Sequence, residues 1–370
     1  MPNSPDYPEA LELAWRQHAM QVTRVGESRI AVQRLEDAAG SLSEAFTTGR
    51  DPGFAGYSRD RRALAAYGVF FFPRAYTRTR LVLRECHARA PWTPAPSTLH
   101  VVDLGAGTGA AGLAALHELS AWHPETPIHL ELVDTAAEGI NLSRTIHTAG
   151  HHLWPRASIA EVRHDARTYT SSRPADVILC SFAVNEWMEQ QPDFPLAEWT
   201  ARQLTRLKPG GWLIILEPAL RFTVERMERL RDTVCANTLG HIIAPCPHHA
   251  PCPMLAEKRG WCHEVRTWKP PESLRWINRR LQRDVHLLKF SFLALTNKPV
   301  EPANGMRLVS PVDKQKGKYV VHACAPDGRV RTCEWLTRHL DENGKARSED
   351  LERGDLVDPA PGTPLGDGRT

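Results

Sequence analysis

The stretch VVDLGAGTG, residues 101–109, decides the fold. A mostly apolar run of strand length leads into three glycines at alternate positions, and the pattern AAGLAALHELSAW that follows has the spacing of a helix. Gly105, Gly107 and Gly109 allow a tight turn and a close approach of ligand to backbone. The helix N-terminus behind them offers amide donors and the positive end of a dipole to a carboxylate or phosphate. The spacing is Gly-x-Gly-x-Gly, which differs from the Gly-x-Gly-x-x-Gly of dinucleotide sites. Asp134, at the end of the next apolar run HLELVD, is placed to accept hydrogen bonds from ribose hydroxyls. Asp165, in RHDAR, follows the third strand.

Working outward, ADVILCSFAVNEW and LTRLKPGGWLIILEPA continue the alternation of strand and helix. Successive units of this size imply an α/β fold with a doubly wound, largely parallel sheet and right-handed crossovers. Upstream, residues 1–97 read as a helical region. LELAWRQHAMQVTRV and RIAVQRLEDAAGSLSEAF space their apolar residues three and four apart, and ALAAYGVFFFPRAYTRTRLVLRECHARA reads as a helix pair broken at Pro73. The segment PWTPAPST, residues 91–98, is a proline-rich linker. The sheet domain is expected over 98–240, and a smaller, basic, β-containing region over 241–340, with LKFSFLAL, MRLVSPV and KYVVHACA as strands. Residues 341–370 lack apolar periodicity and are expected to be a disordered tail.

Composition is that of a soluble globular chain: 370 residues, 42% hydrophobic, 24% charged, net charge +3. The small net charge hides an asymmetry. Residues 258–338 carry 17 Lys and Arg against 7 Asp and Glu, a surplus of +10, whereas residues 339–370 carry 4 against 8. Such a concentration is an electrostatic footprint for a polyanion, with Lys314, Lys316, Lys318, Arg275, Arg279 and Arg280 as the candidate contacts. The N-terminal residues lack the pattern of a signal or transit peptide, and no stretch approaches the roughly 18 apolar residues of a membrane span. A cytoplasmic location, with no membrane and no DNA partner, is the expectation, and there thiols stay reduced.

Clustered cysteines therefore point to metal chemistry. APCPHHAPCP, residues 244–253, flanks both Cys246 and Cys252 with prolines. Proline fixes φ, removes an amide donor and drives the preceding residue out of the helical region, so the segment is a stiff, non-helical loop. Cys262 follows in GWCHEV and Cys324 in VVHACAPDG, with Cys333 competing for the fourth place. Four thiolates suit zinc or an iron–sulfur cluster. Zinc sites favour cysteines two to four residues apart, so the wider spacing leans to iron–sulfur, while His248, His249 and His263 leave zinc open.

Over residues 98–220 the glycine turn, Asp134, Asp165 and LKPGG resemble the class I S-adenosylmethionine-dependent methyltransferases. That resemblance implies that Asp103, Gly105, Gly107 and Gly109 line the methionine end of the cofactor, Asp134 the ribose and Asp165 the adenine edge. The chain has SFAVNEW, residues 181–187, where amino-methylating enzymes carry a proline pair. Asn185 and Glu186 are the polar candidates there, equally readable as helix-start residues, and no catalytic residue is assigned. From about residue 40 to 338, AAYGVFFFPRAYTRTRLVL, NEW, LEP, CPHHAPCP, WCH, KFSFLAL and KQKGKYVVHACAPDG together resemble the methyltransferase-like assembly factors of the mitochondrial small ribosomal subunit and their bacterial relatives. This second resemblance implies a four-iron four-sulfur cluster on Cys246, Cys252, Cys262 and Cys324, and association with small-subunit rRNA and proteins. Whether methyl transfer accompanies that binding is open: an rRNA methyltransferase is the alternative. Glu217-Pro218-Ala219-Leu220 departs from the Glu-Pro-Gly-Thr usual in that family.

Overall fold

A computed structural model of the chain describes residues 4–48, 60–92, 97–257, 260–357 and 366–367. The N-terminal region is helical as expected: α1 (Glu9–Thr23), α2 (Ser28–Gln33), α3 (Glu36–Thr48), α4 (Arg61–Phe70) and α5 (Phe72–Arg89). The pair α4 and α5 breaks at Phe71, and Pro73 occupies the first turn of α5, where its missing amide costs nothing. Gly68 is required because a Cβ there would lie 2.0 Å from the Trp15 ring. Residues 93–96 of the proline-rich linker lie outside the described residues.

The sheet domain follows as β1 (Leu99–Leu104), α6 (Ala110–Trp122), β2 (Ile128–Asp134), α7 (Ala137–Ala149), β3 (Ala157–Arg163), β4 (Ala175–Ser181), α8 (Val184–Gln190), α9 (Leu196–Thr205), β5 (Leu207–Pro218) and α10 (Arg221–Ala236). Then come β6 (His241–Ala244), α11 (Pro253–Glu257), β7 (Glu264–Thr267), α12 (Glu272–Leu281) and β8 (Leu287–Thr296). The eight-stranded sheet runs β3-β2-β1-β4-β5-β8-β6, with β7 also on β8. Strands β1 to β5 are parallel, and β8 is antiparallel to β5, β6 and β7. Alternate residues of β1 feed the two faces: Leu99 and Val101 join the core shared with the N-terminal helices, Val102 and Leu104 the core on the other side.

The boundary expected at residue 240 is corrected by this topology. Strands β6, β7 and β8 lie beyond it yet complete the first sheet, because the apolar run of β8 needs the edge of β5. Helix α12 likewise packs back on α2, α3 and α4. The second sheet is smaller and antiparallel: β9 (Met306–Leu308), β10 (Asp313–Gln315), β11 (Lys318–Cys324), β12 (Val330–Leu336), β13 (Leu356–Val357) and β14 (Gly366–Asp367), in the order β13-β9-β11-β12-β14 with β10 on β11.

The disordered tail expected from residue 341 is corrected in its first half. Asp341 caps α13 (Glu342–Glu349) by accepting from Gly344 N, β13 pairs with β9, and buried Asp355 bonds Arg266. Order here comes from ionic anchors and edge pairing, neither of which leaves an apolar period in sequence. Residues 358–365 and 368–370 lie outside the described set.

Candidate functional site: a glycine turn and a four-cysteine cavity

The turn after β1 has the geometry that its glycines imply. Gly105, Gly107 and Gly109 sit at φ of +77°, +53° and +79°, in the left-handed region that other residues enter at a cost. A Cβ on Gly105 would come within 2.6 Å of Ala183 Cβ, whereas one on Gly107 would meet nothing within 4 Å. The Asp134 carboxylate closes the turn, accepting from Gly107 N and Ala136 N at 2.8 Å each. Asp103 is buried. Its Oδ2 accepts from Gly112 N at 2.8 Å, its Oδ1 has no partner among the described residues, and burial pushes its pKa up to about 7. Thr108 Oγ1 and Ser181 Oγ are also buried without partners among the described residues. Such orphaned groups at a glycine turn fit a polar ligand with an ammonium group. Asp165 is engaged differently: Arg167 grips both of its oxygens, Nη2 at 2.7 Å, and holds its pKa down.

Two motifs that look separate in the sequence meet here. Glu217, at the end of β5, accepts from Val184 N and Asn185 N at 3.1 Å each and so caps α8. With its amide oriented to donate, Asn185 also bonds Glu217 Oε2 and the Phe182 carbonyl. Burial raises Glu217 to about 8. Sequence reasoning missed Tyr67 and Arg78. Tyr67 lies near Asp103, Asp134, Glu186 and Arg78, with burial and the carboxylates raising its pKa, and the Arg78 guanidinium sits 5.1 Å from the Phe182 ring centroid. The two residues belong to different helices, and only the break at Phe71 brings them to the turn, so no spacing marks them.

The cysteines converge on one cavity. Strand β6 pairs with β8 as far as Ala294 and β7 resumes at Phe290. The proline-rich loop leaves and re-enters the sheet through that gap, above Ser291, Phe292 and Leu293. Cys246, Cys252, Cys262 and, from the end of β11 in the second sheet, Cys324 all line the cavity it encloses. Cys333 packs instead in the core of the second sheet with Tyr319 and Trp335. His263 stacks on Trp261, and His249 sits by His241. Of the three histidines, only His248 lines the cavity.

Helix α10 supports the loop with one face. Residues 228, 231 and 232 are spaced i, i+3, i+4 and share a side. Glu228 accepts from Cys262 N at 2.9 Å, Asp232 from Cys252 N at 2.9 Å, and Arg231 Nη2 donates to the His248 carbonyl at 2.8 Å. Burial, then the neighbouring sulfurs Cys246 and Cys252, push Cys324 up to about 12. Cys252 also reaches about 12 through burial and Cys246, and Cys262 rises in the same way. Burial and Arg231 lower His248 to about 4, against the Ala250 backbone. Thiols that oppose one another's ionisation in a buried space fit a metal centre, whose positive charge reverses that balance.

Beneath the cavity lies a buried ionic network. Arg307, paired in register with Cys324, bonds Glu85 of α5, Glu264 of β7 and the Pro245 carbonyl. Of the six basic candidates, Lys314 pairs with Glu349, Lys318 with Glu334 and Arg280 with Glu36, while Lys316, Arg275 and Arg279 are exposed. The two groups belong to different elements, β10–β11 and α12. Among the described residues no helix is long and apolar enough to cross a membrane.

The strand order and the glycine turn after β1 define a Rossmann-like, class I S-adenosylmethionine methyltransferase fold. The chain belongs to the family described as mitochondrial small ribosomal subunit Rsm22, whose model matches residues 61–357. It is 24% identical over 260 residues to the human protein "Ribosome assembly protein METTL17, mitochondrial", covering 68% of this chain and 53% of that one. To "Rsm22-cox11 tandem protein 2, mitochondrial" of Schizosaccharomyces pombe it is 21% identical over 272 residues, or 63% of this chain and 35% of the relative. The chain thus spans about half or less of these relatives. Among solved structures, similar ones include a Listeria monocytogenes protein described as a class I S-adenosylmethionine-dependent methyltransferase (14% identity, 80% and 89% of the two chains, TM-score 0.41). The citrinin polyketide synthase CMeT domain is another (15%, 74% and 66%, TM-score 0.39). Both scores are low, and the fold class rests on the strand order.

Proposed function

We propose that this chain is an assembly factor of the small ribosomal subunit that binds rRNA, holds S-adenosylmethionine at the glycine turn and carries a four-iron four-sulfur cluster on Cys246, Cys252, Cys262 and Cys324. One observation carries the reading: four cysteines from three separated segments line one cavity between the two sheets. A metal centre bound there supplies a cross-link between the sheets. This chain's residues do the rest. The prolines stiffen the loop, Glu228 and Asp232 hold its amides, and Arg307 ties the cavity floor to α5 and β7. At the glycine turn, the free Asp103 oxygen supports an ammonium contact.

The engagement of Asn185 by Glu217 and the Phe182 carbonyl favours binding over methyl transfer, since its side-chain amide is spent on those two acceptors. The test compares cells with and without the gene. Co-sedimentation of the protein with small-subunit precursors, and no rRNA nucleotide whose modification depends on the gene, is the expected result. A modification lost in the deletion strain would establish the methyltransferase alternative, and absence from ribosomal particles would end the assembly reading.

A further inference from the structure

His248 lies between two of the cavity cysteines in sequence and beside a third in space, so its role decides the donor set. It is 4% exposed, Cys324 7% and Arg231 2%. Arg231 Nη2 lies 2.8 Å from the His248 carbonyl and 3.2 Å from its Nδ1. A guanidinium has donors and no acceptor. Nδ1 must therefore accept, and the single proton of a neutral imidazole sits on Nε2. That atom is 3.2 Å from Cys324 Sγ.

We infer that His248 is a positioning residue, which donates Nε2–H to the Cys324 sulfur and is locked in that tautomer by Arg231, and that it is not a metal ligand. The inference rests on the four-cysteine site proposed above. Both ring nitrogens are committed, one covered by Arg231 and the other carrying the proton, so neither offers a lone pair to a metal. A hydrogen bond to a ligating sulfur withdraws charge from it, which makes a bound cluster easier to reduce, and by holding the Cys324 side chain at the cavity it slows the loss of the metal. The arrangement is anchored beyond the ring: Arg231 is paired with Asp232, which holds the amide of Cys252. One polar chain thus runs from the Cys252 backbone to the Cys324 side chain.

The test uses the full chain purified without oxygen, as wild type and as His248→Leu, His248→Gln and Arg231→Met. Metal content, midpoint potential and the rate of metal release to a chelator are read for each. His248→Leu should keep the wild-type metal content, shift the midpoint potential to more negative values and release metal about 10- to 100-fold faster. His248→Gln restores an N–H donor and should return both readouts toward wild type, while Arg231→Met should move them in the direction of His248→Leu. Loss of metal in His248→Gln, with Cys324→Ser retaining it, would make the histidine the ligand and overturn the inference. Unchanged potential and release in His248→Leu would overturn it too. If the wild type holds zinc without sulfide, the cluster proposal fails by itself. The histidine is then judged by X-ray absorption at zinc, where four sulfurs uphold the inference and three sulfurs with one nitrogen end it.

Discussion

Arg307 Nη2 stands 2.8 Å from Glu264 Oε1, with both side chains at most 3% exposed. Removing either partner leaves a buried charge with one counter-charge fewer, Arg266 for Glu264 or Glu85 for Arg307, a loss of at most about 3–5 kcal/mol. Arg307→Met should therefore lower the unfolding temperature markedly. The double variant Arg307→Met/Glu264→Gln should recover part of the loss, although Glu85 and Arg266 keep it from being complete. Thermal unfolding of Arg307→Met, Glu264→Gln and the double variant checks this, and additive losses would contradict the coupling.

The glycine turn gives a graded prediction. Gly105→Ala combines a positive φ with a Cβ 2.6 Å from Ala183, whereas Gly107→Ala carries only the φ penalty of about 1–2 kcal/mol. Calorimetric titration with S-adenosylmethionine should show no binding for Gly105→Ala and weakened binding for Gly107→Ala. Equal affinities would place the ligand elsewhere.

Most of the sheet domain is legible in the sequence because parallel strands buried on both faces are written as largely apolar runs, as in VVDL, HLELV and VILC. The four cysteines are legible because proline and thiol chemistry are local. Their meeting is not, since Cys324 reaches the cavity through a second sheet whose strands β9, β10 and β13 are only two or three residues long. The cap of α8 by Glu217 escapes notice for a similar reason. The motifs NEW and LEP are about thirty positions apart, and the parallel pairing of β4 and β5 alone makes them neighbours. The ordered segment after residue 341 is held by ion pairs, which have no period to detect.

Asp103 and Glu217 set a pH dependence. Burial raises them to about 7 and about 8, above the ordinary carboxylate range. Between about pH 5 and 8 the unfolded chain therefore binds fewer protons at these groups than the folded one, so their contribution to stability falls as pH rises through that window. An ammonium ligand prefers ionised Asp103, so S-adenosylmethionine affinity should move the other way and rise between pH 6 and 8. Calorimetry across that range checks it, and Asp103→Asn should flatten the profile.

The ion pairs of Lys314, Lys318 and Arg280 divide the six basic residues into two groups. Charge reversal at Lys316, Arg275 and Arg279 should weaken rRNA binding more than reversal at the three paired residues. The slope of log affinity against log salt should fall by about 0.7–0.9 for each phosphate that the protein no longer neutralises. Filter binding at several salt concentrations reads both, and an unchanged slope would remove these residues from the interface.

The metal content of the protein purified without oxygen is the most direct measure of the central claim. About four iron and four acid-labile sulfide per chain are expected, lost on serine substitution of Cys246, Cys252, Cys262 or Cys324 and retained in Cys333→Ser. A chain free of iron and sulfide, or one whose metal survives all four substitutions, would contradict it.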